Sequence, residues 1–182
     1  MKTAIVTGAT AGIGKATAVM LAQNGFRVII TGRRQEKLDS LKHEIKSLHK
    51  QKVLPLCFDI RNFSEVESAL GKLPAEWSKI DVLVNNAGLA VGVNPIQDGV
   101  IDDWERMIDT NIKGLLYVTK IVSRRMIEQG SGHIVNIGST AGTQVYENGN
   151  VYCATKHAVH ALSQGMRIDL LKHGIKVTEV RP

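Results

Sequence analysis

"TAIVTGATAGIGKATAVMLAQNGFRVIITGRR", residues 3 to 34, changes character twice along its length. Thr3 to Thr7 is a compact, largely β-branched run, as expected of a strand buried on both faces. From Ile13 to Asn24, small and apolar residues recur at helical spacing, and Gly25 stands where a helix C-cap belongs. Arg27 to Thr31 reads as a second strand. Strand, helix, strand is the unit of a parallel sheet joined by right-handed crossovers. Gly8, Gly12 and Gly14 lie between the first strand and its helix, spaced T-G-x-x-x-G-I-G. Glycine lets a backbone turn tightly and approach a pyrophosphate, whose charge is stabilised by the N–H groups of a helix N-terminus. Glycines also serve as plain turn punctuation, and a lone match of this kind is weak. Placed directly after the first strand and opening a helix, this turn is a candidate dinucleotide site.

The alternation continues to the end of the chain. "KVLPLC" (52 to 57), "VLVN" (82 to 85), "HIVNI" (133 to 137) and "KVTEV" (176 to 180) predict further strands. Helices are expected over Arg34 to Leu48, Ser64 to Leu70, Asp103 to Gln129 and Tyr152 to Lys172, with Gly174 as another C-cap. Ser64 reads as an N-cap completed by Glu67 in a capping box. Repeats, linkers and low-complexity tracts are absent from the sequence. The expected fold is α/β, a doubly wound parallel sheet of the Rossmann type in three αβα layers, with residues 1 to 182 as one dinucleotide-binding domain.

Composition narrows the function classes. The 182 residues are 43% hydrophobic and 22% charged, enough for one globular core. No apolar run reaches the roughly 18 residues that span a bilayer, so no membrane partner is expected. Net charge is +6, but in "RRQEKLDSLKHEIKSLHKQK" (33 to 52) acids interleave with the bases, which describes a solvated helix face rather than a nucleic-acid surface. Cys57 and Cys153 are far apart without CxxC spacing, which argues against a disulfide framework and fits a cytoplasmic location. His157 and His160 are the one helical histidine pair and have no carboxylate or cysteine at ligand spacing, so no metal is expected.

Two further features carry chemistry. The second strand ends "VIITGRR", with Gly32 where an acid would hold a ribose 2′-hydroxyl and select NAD. Arg33 and Arg34 instead suit a 2′-phosphate, which favours NADP. The plainer reading is two arginines solvating a helix start, but cations there oppose the helix dipole. In "GNVYCATKHAVHAL" (149 to 162), Tyr152 and Lys156 fall one helical turn apart on one face. By itself such a pair more often means a packed ring and a solvated amine. A tyrosine beside a lysine can, however, exchange protons. A free phenol with a pKa of about 10 exchanges protons poorly near neutrality unless a cation within ~4–6 Å stabilises its phenolate.

Taken in order, the motifs resemble those of the short-chain dehydrogenase/reductase family over essentially the whole chain. The glycine pattern is followed by "FDIRN" (58 to 62), "DVLVNNAG" (81 to 88), "DTNIKG" (109 to 114), "NIGSTAG" (136 to 142) and "YCATK" (152 to 156). Ser139 precedes Tyr152 by 13 residues, the family spacing. The resemblance implies that Gly8, Thr10, Ala11, Gly12, Ile13, Gly14, Arg33, Arg34, Asp59, Ile60 and Asn86 bind the cofactor, Asp59 near the adenine. It also implies that Tyr152 is the general acid/base and that Lys156 supports it while holding the nicotinamide ribose. Ser139 would bind the substrate oxygen, and Asn111 would hold a water that extends the proton relay. An asparagine inside a helix is mildly unfavourable by propensity, which fits such a role.

Several stretches, among them "TGRRQEKL", "LPAEWSKIDVLVNNAGLA" and "DDWERMIDTNIKGL", resemble the bacterial NADP-dependent 3-hydroxy acid (serine, allo-threonine) dehydrogenases within that family. This implies interconversion of a secondary alcohol and a ketone on a small 3-hydroxy acid. The alternatives are another NADPH-dependent carbonyl or 3-oxoacyl reductase, or a non-catalytic dinucleotide sensor, which would characteristically lack the tyrosine or lysine kept here. Gln144 and Val145 are candidate pocket residues that identify no substrate. Apolar residues on more than one face of the helices around "GLLYVTKIV" and "CATKHAVHALSQGM" would be left in water in a monomer, and the resemblance, whose members bury these helices against their copies, implies a homotetramer, or at least a dimer. Family members continue beyond the position of Pro182 with a substrate-covering segment and a last strand, so such a continuation is expected here.

Overall fold

The computed structural model describes all residues, 1 to 182. Six parallel strands form one sheet in the order β3-β2-β1-β4-β5-β6. They are β1 (Thr3–Val6), β2 (Arg27–Gly32), β3 (Val53–Cys57), β4 (Val82–Asn85), β5 (Gly132–Ile137) and β6 (Ile175–Val180). Each lies within a residue of its expected position, because short β-branched runs between glycines and polar turns leave little freedom of register. Helices α1 (Gly12–Gln23), α2 (Gln35–His49), α3 (Phe63–Gly71), α4 (Ile101–Ile108), α5 (Leu115–Gln129) and α6 (Asn150–Leu171) connect them. Gly25 and Gly174 take the left-handed backbone expected just past a helix end, at φ of 82° and 71°.

Strand alternation sends side chains to two cores. In register across the sheet, Ile29, Ile5, Leu83, Ile134 and Val177 form one row facing α3 and α5. Ala4, Val6, Val28, Ile30 and Val84 point the other way, against Ala18 and Ala22 of α1 and Leu38, Leu41 and Ile45 of α2. Each large aliphatic side chain so buried contributes about 1.5–3 kcal/mol. The second layer of helices covers the β3 half of the sheet. Toward β6, Val135 and Ile137 are only partly buried and Val180 is 44% exposed.

Two expectations need correction. The helix expected from Asp103 to Gln129 is broken: α4 and α5 are joined by a π-helical segment, Asp109–Gly114. A π-type turn re-aims side chains without ending the helix, and here it turns Asn111 into the protein. Gly114 closes the segment where a Cβ would press on Ile60. The cap of α3 is Asn62 rather than Ser64. Asn62 Oδ1 accepts from the backbone N–H of Ser64 and Glu65 at 3.1 and 3.4 Å, and the helix begins one residue earlier, at Phe63.

The strand order reverses between β1 and β4. Their following loops turn to opposite faces and leave a crevice at the carboxyl ends of the strands.

Candidate active site

That crevice is a cleft of ≈ 630 Å³, and it gathers the glycine turn, the arginines and the Tyr–Lys pair into one wall-to-wall site. Its floor is stitched across the reversal point. Thr7 Oγ1 donates to the Val84 carbonyl at 3.3 Å and accepts from the N–H groups of Asn86 and Ala87, each at 3.0 Å. The Asn86 amide donates in turn to the carbonyls of Thr7 and Gly8 at 2.9 and 3.2 Å. Asn86 lines the cleft as expected, but its side-chain N–H groups are used in fastening the two loops.

The glycine turn fits a pyrophosphate on two counts. Gly8 has φ +64° and Gly12 +54°, left-handed conformations that disfavour a Cβ, and a Cβ on Gly14 would collide with the Gly8 carbonyl and the Asn86 amide. No side chain caps α1, and its first turn holds no acid. Its leading N–H groups are therefore left to an external acceptor. Thr10, Ala11, Gly12 and Ile13 all line the cleft.

At the β2 end of the cleft, Arg34 Nη2 donates to Thr10 Oγ1 at 2.7 Å, fixing its guanidinium over the glycine turn. Gly32 leaves room for this, since a Cβ there would press on the Thr10 methyl. Arg33 stands 3.8 Å from Asp59 Oδ2 with a half-exposed side chain. Asp59 is more committed than its motif suggests. Arg61 Nε lies 3.0 Å from each of its oxygens, and the Arg61 Nη2 contact at 2.6 Å closes a fork. That hydrogen-bonded pairing holds the Asp59 carboxyl below the usual carboxylate range. Sequence reading missed Arg61, although it lies two residues from Asp59 within the same quoted motif. Ile60 is 9% exposed; it lines the cleft and also packs into the core.

On the opposite wall, Ser139 follows β5, and Tyr152 and Lys156 lie on the first turns of α6. The Ser139 hydroxyl accepts from the Ala141 N–H at 3.2 Å, which anchors the turn that carries it. Lys156 is 8% exposed, and its ammonium donates to the Ile137 carbonyl at 3.0 Å. The Nζ lies 5.8 Å from the centroid of the Tyr152 ring. Burial pushes the Lys156 ammonium down from its ordinary pKa, and the carboxylate of Glu179 pulls the other way. The α6 backbone comes this close because Gly142 lies against it; a Cβ there would sit 2.8 Å from the Lys156 carbonyl.

Asn111 is placed beside this pair, and its side-chain amide is bonded to protein groups. Oδ1 accepts from the Leu89 N–H at 2.8 Å, and Nδ2 donates to the Leu89 carbonyl at 2.9 Å and to Thr155 Oγ1 at 3.0 Å. The amide thus ties the loop after β4 to α6. Gln144 and Val145 are exposed and lie off the cleft wall, Val145 at 70%. Gly88 and Leu89, within or beside the quoted "NNAG" motif but not assigned a role from it, also line the cleft, as does Pro182.

Known proteins share this architecture. The sequence model of the short chain dehydrogenase family matches residues 2 to 182. An NADP-dependent 3-hydroxy acid dehydrogenase YdfG of Salmonella typhi is 49% identical over 178 residues, covering 98% of this chain and 70% of that protein. The crystal structure of serine dehydrogenase from Escherichia coli superposes with a TM-score of 0.94 at 48% identity, over 99% of this chain and 82% of that one. A closed form of serine dehydrogenase complexed with NADP+ superposes at 0.91 with 49% identity, over 99% and 71%.

Proposed function

Because the chain belongs to the short chain dehydrogenase family, we propose that it is an NADP-dependent oxidoreductase that interconverts a secondary alcohol and a ketone on a small 3-hydroxy acid. One observation carries this assignment: Ser139, Tyr152 and Lys156 line the same cleft as the uncapped glycine turn and Arg33 and Arg34. The turn and the arginines suit the pyrophosphate and 2′-phosphate of NADP. Bound there, NADP would supply the hydride donor or acceptor for the substrate carbon.

In the reducing direction Tyr152 delivers its phenolic proton to the substrate oxygen as the carbon gains hydride, and in oxidation it takes that proton back. The Ser139 hydroxyl holds the same oxygen beside Tyr152. One of the three donors of Lys156 goes to the Ile137 carbonyl, which leaves two for the ribose hydroxyls. Asn111 holds the Leu89 loop in place behind them. Asp59 and Ile60 border the adenine, and residues 1 to 182 act as one unit carrying both cofactor and proton-transfer groups.

No helix is long and apolar enough to cross a membrane, and a cytoplasmic enzyme fits two free, distant cysteines. Exposed Ile101, Ile108 and Leu116 around α4 and α5, with Ile168 and Leu171 on α6, support assembly into a dimer or homotetramer through these faces.

The assignment is tested by Tyr152→Phe. Phenylalanine preserves ring packing and deletes the proton donor, so fold and NADPH binding are retained while turnover of 3-oxo and 3-hydroxy acids falls about 10²–10⁴-fold. Turnover above half that of the parent protein would refute the role of Tyr152.

A further inference from the structure

Behind the catalytic wall lies a polar cluster that proton transfer as described does not use. Glu179 on β6 pairs in register with Asn136 of β5, and its side chain is only 6% exposed. Its Oε2 accepts from Arg181 Nη2 at 2.9 Å and faces His160 Nδ1 at 2.7 Å. The Gln164 amide lies 2.9 Å from His160 Nε2, and Arg181 Nη2 lies 2.6 Å from His160 Nδ1, so one guanidinium touches both the imidazole and the carboxylate. The other oxygen, Oε1, is buried without a hydrogen-bond partner. It lies against Gly138, where a Cβ would collide with it.

Gly138 is flanked by the two residues that matter most to the opposite wall. Ile137 supplies the carbonyl that holds Lys156 Nζ, and Ser139 follows on the other side. On α6, Tyr152, Lys156 and His160 recur every fourth residue and form one stripe. The cluster therefore sits one turn beyond Lys156 and directly behind its anchor.

We propose that Glu179 is a positioning residue for this site: its buried carboxylate, clamped by Arg181 and His160 against Gly138, keeps Lys156 in the ammonium form. A buried ammonium loses hydration and tends to shed its proton, and a fixed negative charge in the same poorly solvated region opposes that loss. The carboxylate is ionised, because burial, which disfavours its charge, is outweighed by hydrogen bonds from Arg181 and His160. The other groups around Lys156 do not replace it. Tyr152 and His160 are its neighbours on α6, Arg181 follows β6 as a cation, Asn111 is neutral, and Asp109 and Lys113 are paired with each other at 2.7 Å. Glu179 acts through Lys156 and contacts neither substrate nor cofactor.

The consequence for turnover rests on the oxidoreductase assignment, but the charge coupling is readable without it. The test is a pH titration of the Lys156 side chain by NMR in cofactor-free protein carrying ¹³Cε-labelled lysine, with the signal assigned through Lys156→Arg. Glu179→Gln, which preserves size and removes charge, should lower the Lys156 midpoint by about half a pH unit or more. Arg181→Gln, which exposes Lys156 to a less neutralised carboxylate, should raise it. Loosened packing would not move the midpoint in opposite directions. In the holoenzyme, the alkaline limb of ketone reduction should move to lower pH in Glu179→Gln and return in Glu179→Asp. An unmoved midpoint in Glu179→Gln, or movement in the same direction in both variants, overturns the proposal. If Glu179→Gln does not fold, Arg181→Gln decides alone, and a midpoint that fails to rise overturns it. Opposite midpoint movements in a protein that reduces no ketone would sustain the coupling and refute the oxidoreductase assignment instead.

Discussion

Replacing Asn111 by alanine would show how much of the cleft depends on a single amide. The side chain is 2% exposed and makes three hydrogen bonds, at 2.8 and 2.9 Å to the Leu89 backbone and at 3.0 Å to Thr155. Measured against the same groups in water, each is worth about 1 kcal/mol, or about 3 kcal/mol together. Thr155 would be partly compensated, since its hydroxyl also donates to the Tyr152 carbonyl at 2.7 Å. The Leu89 N–H and carbonyl have no such second partner among the hydrogen bonds seen. In a chain of this length 1 kcal/mol corresponds to about 2–4 °C in Tm, so Asn111→Ala should melt about 6–12 °C below the parent. Leu89 lines the cleft, so NADPH binding should weaken as well. Calorimetry on cofactor-free protein and an NADPH fluorescence titration read the two effects separately. An unchanged Tm with turnover abolished would refute this: Asn111 would then serve the proton path and not the loop.

Two further outcomes follow from surface chemistry. Replacing Arg33 and Arg34 together by alanine should weaken NADPH binding roughly ten- to hundredfold, the loss of one charge-assisted hydrogen bond, and leave NADH binding nearly unchanged. Equal weakening of both would show that these arginines do not read the 2′-phosphate. Light scattering at micromolar concentration should give the mass of a dimer or tetramer, and a monomer mass would remove the role proposed for Ile108, Leu116 and Ile168.

The sheet and the cofactor turn were legible because local physics determines them. A strand buried on both faces must be a short apolar run, and a turn with a left-handed backbone or with no room for a Cβ takes glycine, as at Gly8 and Gly14. Tyr152, Lys156 and Ser139 were legible as a spacing, and the fold brings them to one wall. What escaped were pairings. The break at Asp109–Gly114 leaves no proline and only one glycine, because it is fixed by what Asn111 reaches and by the room Gly114 leaves for Ile60. "NFS" offers two good caps in three residues, and choosing Asn62 over Ser64 depends on a one-residue difference in where the helix starts. Asp59 was readable as an acid in a motif, but its fork with Arg61 required coordinates. The association of His160, Glu179 and Arg181 crosses from α6 to the end of β6, and no local pattern announces it.

The stitching of Thr7 to Val84, Asn86 and Ala87 has a consequence for how the molecule comes into being. β1 is an interior strand whose two neighbours arrive from very different distances along the chain: Arg27 to Gly32 on one side, Val82 to Asn85 on the other. The first βαβ unit can pair β1 with β2 as a local event. The glycine turn, however, takes its final shape only when residues nearly eighty positions later dock beside it. Closing so long a loop is slow relative to forming a helix or a neighbouring strand pair. The expected order of events is that β4 joins the sheet before the turn at residues 8 to 14 is held in its folded shape, so a nascent chain would need to have released the "NNAG" segment first.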